Sequence, residues 1–572
     1  MQLPESQKLC LKSSADFPGN WHAHSAASEL AACPNCFQRH IRGTRLELEF
    51  VKESSVQATH SCRFDTPTVS RYLLEMAQSG SSTESLVAFA KTRHTVSECK
   101  GSHGSRPSDG TRWYSAKNRN IPGFVACEAC FMDCIQGGPL ATQFELSPDK
   151  QLEPDVWVCD LSVPFIRRHL ADATSPSDWP SFCSKASTRM QLQSCPGSQA
   201  VFPSSYQWFS PVSGPKELLI CSACFHDHIE GFDDPGNWRD AGNNVLSIYG
   251  SAVFCCLGQH NLLLATAIAQ NASNPNLFWT AARRWIEKPL CEPATAPDET
   301  WYTLPSNPAN FAVCPACYVC VVEPLGLTDT FVPRTRSSSI QPATCSLNRA
   351  APRFQQFLTK LFQACYGIDA KVFDKYVVQF APLPVCMRDQ DLEGGTWFGW
   401  DECNICPDCF HSFAHGTVLA ELMPLNGKSI PERRMCEMYS PRMRSLFLAA
   451  CSTVPLDTRC LLEAAKERRR IYWQTVPLMR DILSRAQSQL NRQRIANTTS
   501  SAYMLMGGLQ ETSMLGQGPT YSLPNAGQVF HNQLEVQGAV LGIEGEKIAT
   551  ALRNGNGRAV ISYLEPIWRG VE

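Results

Sequence analysis

The chain has 572 residues, 43% of them hydrophobic and 9% aromatic, which is enough apolar material for several folded domains. A net charge of -2 removes any global bias toward nucleic acid or anionic membranes. No apolar run reaches the roughly 18 residues of a membrane-spanning helix.

The first segment, Met1 to Lys8, lacks the apolar core of a secretory signal, so a cytoplasmic or nuclear location is expected. In such a reducing compartment the 28 cysteines are expected to stay reduced and to serve metal binding.

Five C-x2-C pairs follow along the chain: Cys33/Cys36, Cys127/Cys130, Cys221/Cys224, Cys314/Cys317 and Cys406/Cys409. Their first members are 94, 94, 93 and 92 residues apart, which marks one unit copied in tandem. Each pair is preceded by a tryptophan (Trp21, Trp113, Trp208, Trp301, Trp397) and followed by an aromatic (Phe37, Phe131, Phe225, Tyr318, Phe410). One more cysteine lies upstream of each tryptophan: Cys10, Cys99, Cys195, Cys291 and Cys386. Another lies downstream of each pair, in a small C-x-apolar pattern: Cys62, Cys159, Cys255, Cys345 and Cys436; this pattern selects Cys255 over Cys256. Twenty cysteines thus form five sets of four. Four thiolates is the number a closed structural zinc site takes, so about five structural Zn2+ ions are expected.

Within a repeat, the pair opens a short helix. An i, i+4 apolar couple such as Phe37/Ile41 shares one helical face. Gly43, Gly137, Gly231, Pro324 and Gly416 then end the turn. In the first repeat Leu46, Leu48 and Phe50 alternate with Glu47 and Glu49, which predicts a half-exposed strand. Pro67, Pro164, Pro352 and Pro441 after the last cysteine predict helix starts, with His260 taking that place in the third repeat. Second helices are expected near Leu86–Arg93, Phe278–Trp285 and Val372–Phe380.

The fold class expected is α+β, with zinc modules at 1–94, 95–190, 191–286, 287–381 and 382–496 separated by helical pairs. The fifth carries a basic helix over 460–495, divided by Pro477, and 497–572 reads as a flexible linker and tail. Apolar patches at Val540–Ile543, Ile548–Leu552 and Ala559–Leu564 mark minor docking elements in that tail.

Three features invite sharper readings. The residue after each tryptophan (His22, Tyr114, Phe209, Tyr302, Phe398) is aromatic or histidine, and with the pair's own aromatic it forms either a cation cage or a small core. Core packing is the reading preferred. His40, Cys134 and His228 share one position after the pair, where Val321 and Phe413 stand in the other repeats, so they are at most alternative ligands. Eight spare cysteines, Cys134, Cys183, Cys256, Cys320, Cys365, Cys403, Cys451 and Cys460, read as bystanders.

The unit W-[HYF]-x(7–12)-C-x2-C-[FY]-x3-[IVA] resembles the cysteine-rich repeats of uncharacterised proteins from filamentous fungi, over residues 10 to about 450. That resemblance implies no activity. The pair with its aromatic is also similar to half of a ZZ-type zinc finger, but each repeat has one pair where ZZ modules have more closely spaced pairs, so no ZZ function is carried over. A RING-type ligase module would need eight ligands per unit.

No metalloprotease, P-loop, nucleophile-elbow or dinucleotide motif occurs. The function expected is a non-catalytic, zinc-stabilised scaffold or adaptor that binds other proteins. The alternative is a nucleic-acid-associated regulator using the basic helix 460–495, and the third is a zinc-dependent ligase or thiol-redox enzyme. If the repeats fold semi-independently, Cys127→Ser should unfold the second repeat and leave distant ones intact, read by hydrogen exchange resolved along the chain; a melt identical to the parent would refute the metal assignment.

Overall fold

A computed structural model describes residues 10, 21–52, 60–80, 82–152, 155–242, 253–292, 300–334, 344–365, 370–513, 521–522, 529–530, 536–537, 539–543, 546–547 and 557–572. Mixed helix and small antiparallel sheets make it α+β. The chain divides into two compact units, Met1–Pro382 and Leu383–Glu572.

In four repeats the tryptophan lies in or beside the central strand of a three-stranded antiparallel sheet. These strands are His22–His24, Trp113–Ala116, Trp208–Pro211 and Gly395–Gly399. One neighbour leads into the cysteine pair (Ala27–Ala32, Ala126–Cys127, Ile220–Cys221, Asn404–Ile405). The other comes after the helical turn (Phe50–Lys52, Phe144–Leu146, Trp238–Asp240, Leu425–Ile430). In the fourth repeat Tyr302–Thr303 pairs with Val332–Pro333 and bridges to Val313.

The turn after each pair is helical but wound more widely than an α-helix. Over Phe37–Ile41, Phe131–Ile135, Phe225–Ile229, Tyr318–Val322 and Phe410–Ala414 it is a π-turn. It closes with i→i−5 bonds such as Arg42 N–H to Phe37 O (2.8 Å) and His415 N–H to Phe410 O (2.7 Å). Isolated π-turns recur at functional sites. Gly43, at φ +76°, takes the left-handed turn that ends the first one.

The strand expected over Leu46–Phe50 is mostly a 3-10 turn, Arg45–Glu49, and only Phe50–Lys52 is extended. Local side chains outcompete the sheet here: Gly43 N–H donates to Glu47 Oε2 (2.7 Å) and Leu46 N–H to Thr44 Oγ1 (3.3 Å). Leu48, 92% exposed, therefore packs against nothing.

The linking helices are α1 (Pro67–Ser79), α2 (Glu84–His94), α3 (Pro164–Ala171), α4 (Trp179–Gln191), α5 (His260–Asn271), α6 (Pro275–Ile286), α7 (Phe354–Cys365), α8 (Ala370–Phe380) and α9 (Pro441–Cys451). Proline opens α1, α3 and α9, where its missing N–H costs nothing. In the fourth repeat Pro352 precedes the start of α7 at Phe354.

The first three helical pairs also pack on the next repeat's π-turn: α1 on Phe131–Ile135, α3 on Phe225–Ile229, and α5 with α6 on Tyr318–Val322. Polar side chains of these helices cap the carbonyls there. Arg71 donates to Gln136 O (2.7 Å), Arg168 to His226 O (3.2 Å) and Gln270 to His228 O (2.6 Å). Ion pairs repeat the theme: Arg93 and Arg63 with Asp133, Arg189 with Asp227, and Arg284 with Glu323. The third and fourth repeats share one continuous core, and Met132 and Phe362 pack into the first repeat's core. The repeats of this unit are interlocked, so the semi-independent unfolding expected of a simple array does not follow from the packing.

In the second compact unit, α9 leads into α10 (Arg459–Ser513), 55 residues long. Pro477 does not divide it: that residue is exposed, and so is Trp473, whose carbonyl loses its helical donor. Residues expected in a flexible linker from 497 are helical as far as Ser513. The patch Val540–Ile543 is helical, Ala559–Leu564 lies in α11 (Gly557–Arg569), and Ile548–Leu552 falls outside the described residues. α11 packs along α10. No helix among the described residues is long and apolar enough to cross a membrane.

The Arg93 side chain is fully buried and donates to both carboxylate oxygens of Asp133, at 3.0 Å each. Removing one partner of a buried pair costs about 3–5 kcal/mol, against about 0–1 kcal/mol for an exposed pair such as Arg119–Asp149. Asp133→Ala should therefore destabilise the first and second repeats together, as hydrogen exchange over α2 and over Phe131–Ile135 would report, whereas Asp149→Ala should leave both unchanged.

Candidate metal centres

The side chains that converge in each repeat come from three places: the loop before the tryptophan strand, the cysteine pair, and the bridge after the sheet. The structure brings together Cys10, Cys33, Cys36 and Cys62; Cys99, Cys127, Cys130 and Cys159; Cys195, Cys221, Cys224 and Cys255; Cys291, Cys314, Cys317 and Cys345; and Cys386, Cys406, Cys409 and Cys436. Within each group every sulfur lies within 4.8 Å of the others, and all are buried or half-buried. A tetrahedron with metal–sulfur bonds of about 2.3 Å has sulfurs about 3.8 Å apart, so such an ion fits. All 28 thiols are free of disulfides.

Backbone amides point at these sulfurs. Cys36, Cys317 and Cys409 N–H donate to the first cysteine of their own pair, each at 3.4 Å. Cys127, Cys221, Cys314 and Cys406 N–H donate to the last cysteine of the set, at 3.3–3.5 Å. The upstream cysteines accept from the residue two further on: Gly101 to Cys99 (3.4 Å), Gly197 to Cys195 (3.3 Å) and Arg388 to Cys386 (3.4 Å). All three donors sit in left-handed backbone, at φ +55°, +68° and +55°. The C-x-G spelling in the second and third repeats was the available signal for this turn. In the fourth repeat Asn348 Nδ2 donates to Cys291 Sγ (3.2 Å) instead. Hydrogen bonds from amides favour the thiolate, the form that binds metal.

Hydrogen bonds from the other thiols hold Cys99 and Cys195 far below the ordinary thiol range. Hydrogen-bond sharing with the same neighbours, together with burial, pushes Cys130 and Cys224 far above it. Four thiolates at this spacing would repel one another unless a cation lay between them.

The aromatic after each tryptophan stacks on the aromatic after the pair. The pairs are His22–Phe37 (3.7 Å), Tyr114–Phe131 (3.8 Å), Phe209–Phe225 (3.9 Å), Tyr302–Tyr318 (3.6 Å) and Phe398–Phe410 (3.9 Å), all within 12° of parallel. Rings this close leave no room between them for a cation. They form a packing element that joins the central strand to the π-turn.

None of the metal-capable groups among the described residues includes His40, Cys134 or His228. Burial pushes the Cys134 thiol up to about 11 and lowers the basicity of His228. Of the other spare cysteines, Cys256, Cys320, Cys365 and Cys403 are core residues and Cys460 is exposed. Cys256 occupies a repeated slot of its own. Its sulfur accepts Leu219 N–H (3.4 Å), as Asp160 accepts Val125 N–H (2.7 Å) and the Ser346 hydroxyl accepts Ala312 N–H (3.1 Å).

Of the basic residues expected to line a free face on 460–495, Arg468, Arg469 and Arg480 are engaged by other elements of the second compact unit, while Arg470 and Arg485 are exposed and pair only along the helix. Arg468 is buried between Glu437 and Glu572, Arg469 donates to Asp401 O and Asn404, and Arg480 pairs with Asp389 (2.9 Å).

No family model, no curated protein and no solved structure matches this chain.

The slot occupied by Cys256 separates two adjacent cysteines by experiment. Cys256→Ser should keep the full metal complement and cost less than about 1.5 kcal/mol, because a hydroxyl serves the same amide in the fourth repeat. Cys255→Ser should lose one metal ion per chain and loosen the third repeat. Metal analysis beside denaturant melts would read both.

Proposed function

We propose that the chain is a non-catalytic, zinc-stabilised tandem-repeat scaffold that binds other proteins. The observation that carries this reading is the set of five enclosed, all-sulfur clusters with amide donors on their sulfurs. Four thiolates per ion close the coordination sphere and leave no position for water or substrate, the arrangement of structural rather than catalytic zinc. Sulfur-only donors favour zinc over calcium, magnesium or manganese.

The spare thiols support a structural rather than a redox role. Burial pushes Cys134 and Cys183 to about 11 and Cys256 to about 12, far from the lowered range of a reactive thiol. The charges engaged by Arg468, Arg469 and Arg480 weigh against the basic helix as a phosphate-binding face. A reducing compartment, cytoplasm or nucleus, is the setting in which twenty ligand thiols stay available to metal.

Purified protein should contain five zinc ions per chain by elemental mass spectrometry. Structural zinc contributes roughly 10–16 kcal/mol in finger peptides, so a strong chelator should abolish cooperative unfolding and added zinc should restore it. Absence of metal together with oxidised cysteines would overturn the reading.

A further inference from the structure

The last sixteen residues fill a groove on the fifth repeat. Its polar end is built from four side chains. Arg468, about 1% exposed, bridges the carboxylates of Glu437 and Glu572. The Tyr439 hydroxyl donates to Glu572 Oε1 (2.7 Å), the Ser440 hydroxyl to the main-chain oxygen of Glu572, and Arg442 to Gly570 O (2.7 Å). The Arg468 guanidinium also lies 4.8 Å from the Tyr439 ring and 4.9 Å from the Trp568 ring. The apolar end seats Leu564 and Trp568 against Met435, Ile471, Tyr472, Val476 and Met479.

We propose that this groove is a helix-docking site, closed in cis by residues 557–572, and that a partner helix carrying the same anchors displaces that segment. The proposal rests on the scaffold reading and names the partner chemistry for one site. Leu564 and Trp568 are four apart on α11 and Glu572 lies three residues past its end, so the ligand class is an amphipathic helix with an apolar residue, an aromatic four later, and a short non-helical extension that delivers a carboxylate.

Three observations favour exchange over a permanent seal. The cluster under α11 is separate from the fifth repeat's own core, which contains Trp397, Cys409 and Phe447, so the segment can leave without opening that core. Glu437 stays with Arg468 when Glu572 departs, so no buried charge is orphaned. Glu437 Oε1 and Arg468 Nε are buried without a hydrogen-bond partner among the described residues, so an incoming segment with an added polar group gains what α11 does not supply.

The test uses the full chain with a protease site inserted after residue 550, cleaved and equilibrated with a fluorescent peptide of residues 557–572. The peptide is expected to exchange into the groove and raise its anisotropy. Peptides with Glu572→Gln or Trp568→Ala should bind at least tenfold more weakly, and the exposed-rim variant Arg442→Ala in the chain should weaken the parent peptide several-fold. Failure of the parent peptide to enter at equilibrium, or equal entry of the two altered peptides, overturns the proposal. These probes are the chain's own segment, so either result leaves the scaffold reading standing, whereas missing zinc would remove that reading without touching the groove.

Discussion

Four thiol sulfurs within 4.8 Å of one another are the constraint around which every repeat is arranged. As thiolates they repel, and only a cation at their centre turns that repulsion into attraction. Each set draws on a loop, a pair and a bridge far apart in sequence, so an ion held there would tie three segments that a sheet of three short strands would hold only weakly. The stacked rings beside each cluster extend the same knot, fixing the central strand to the π-turn that carries the pair.

The clusters do not make the repeats self-sufficient. The π-turns of the second, third and fourth repeats are each covered by helices from the repeat before. The carbonyls at their ends are capped by Arg71, Arg168 or Gln270 from those helices. His260, which stands where the other repeats have proline, adds a further link to the next repeat: its Nε2 lies 2.9 Å from Leu347 O. The cysteine clusters gather each repeat, and helices join it to its neighbour.

What could be read in the sequence was whatever repeats inside one unit. The grouping of twenty cysteines into sets of four came from spacing alone, because copies within a chain act as their own comparison. Helix starts at Pro67, Pro164 and Pro441 were equally legible, since proline's missing amide is a local property. The π winding was not, because an i, i+4 apolar couple such as Phe37/Ile41 fits either an α- or a π-turn. The 3-10 turn at Arg45–Glu49 was hidden because alternation of leucine and glutamate says nothing of Glu47 reaching back to Gly43. Cross-repeat caps were invisible for another reason: Arg71 and Gln136 are 65 residues apart, and nothing in either segment names its partner. Composition misled in the tail, where a polar stretch from 497 continues α10.

Among the described residues, the helices that follow the fifth repeat's sheet are covered not by a further π-turn but by α11. Apolar faces on Ile471, Tyr472 and Val476 are instead covered by Leu564 and Trp568 of α11. Repeat arrays need such a cap, since an uncovered terminal face exposes the surface that stacking buries elsewhere. Here the cap is held by an ion-paired arginine as well as by apolar contact, and Glu437, its inner partner, directly follows the cluster cysteine Cys436. The covering of the last helical pair and the last cluster therefore meet at adjacent residues, Glu437 and Cys436, while their apolar cores stay separate.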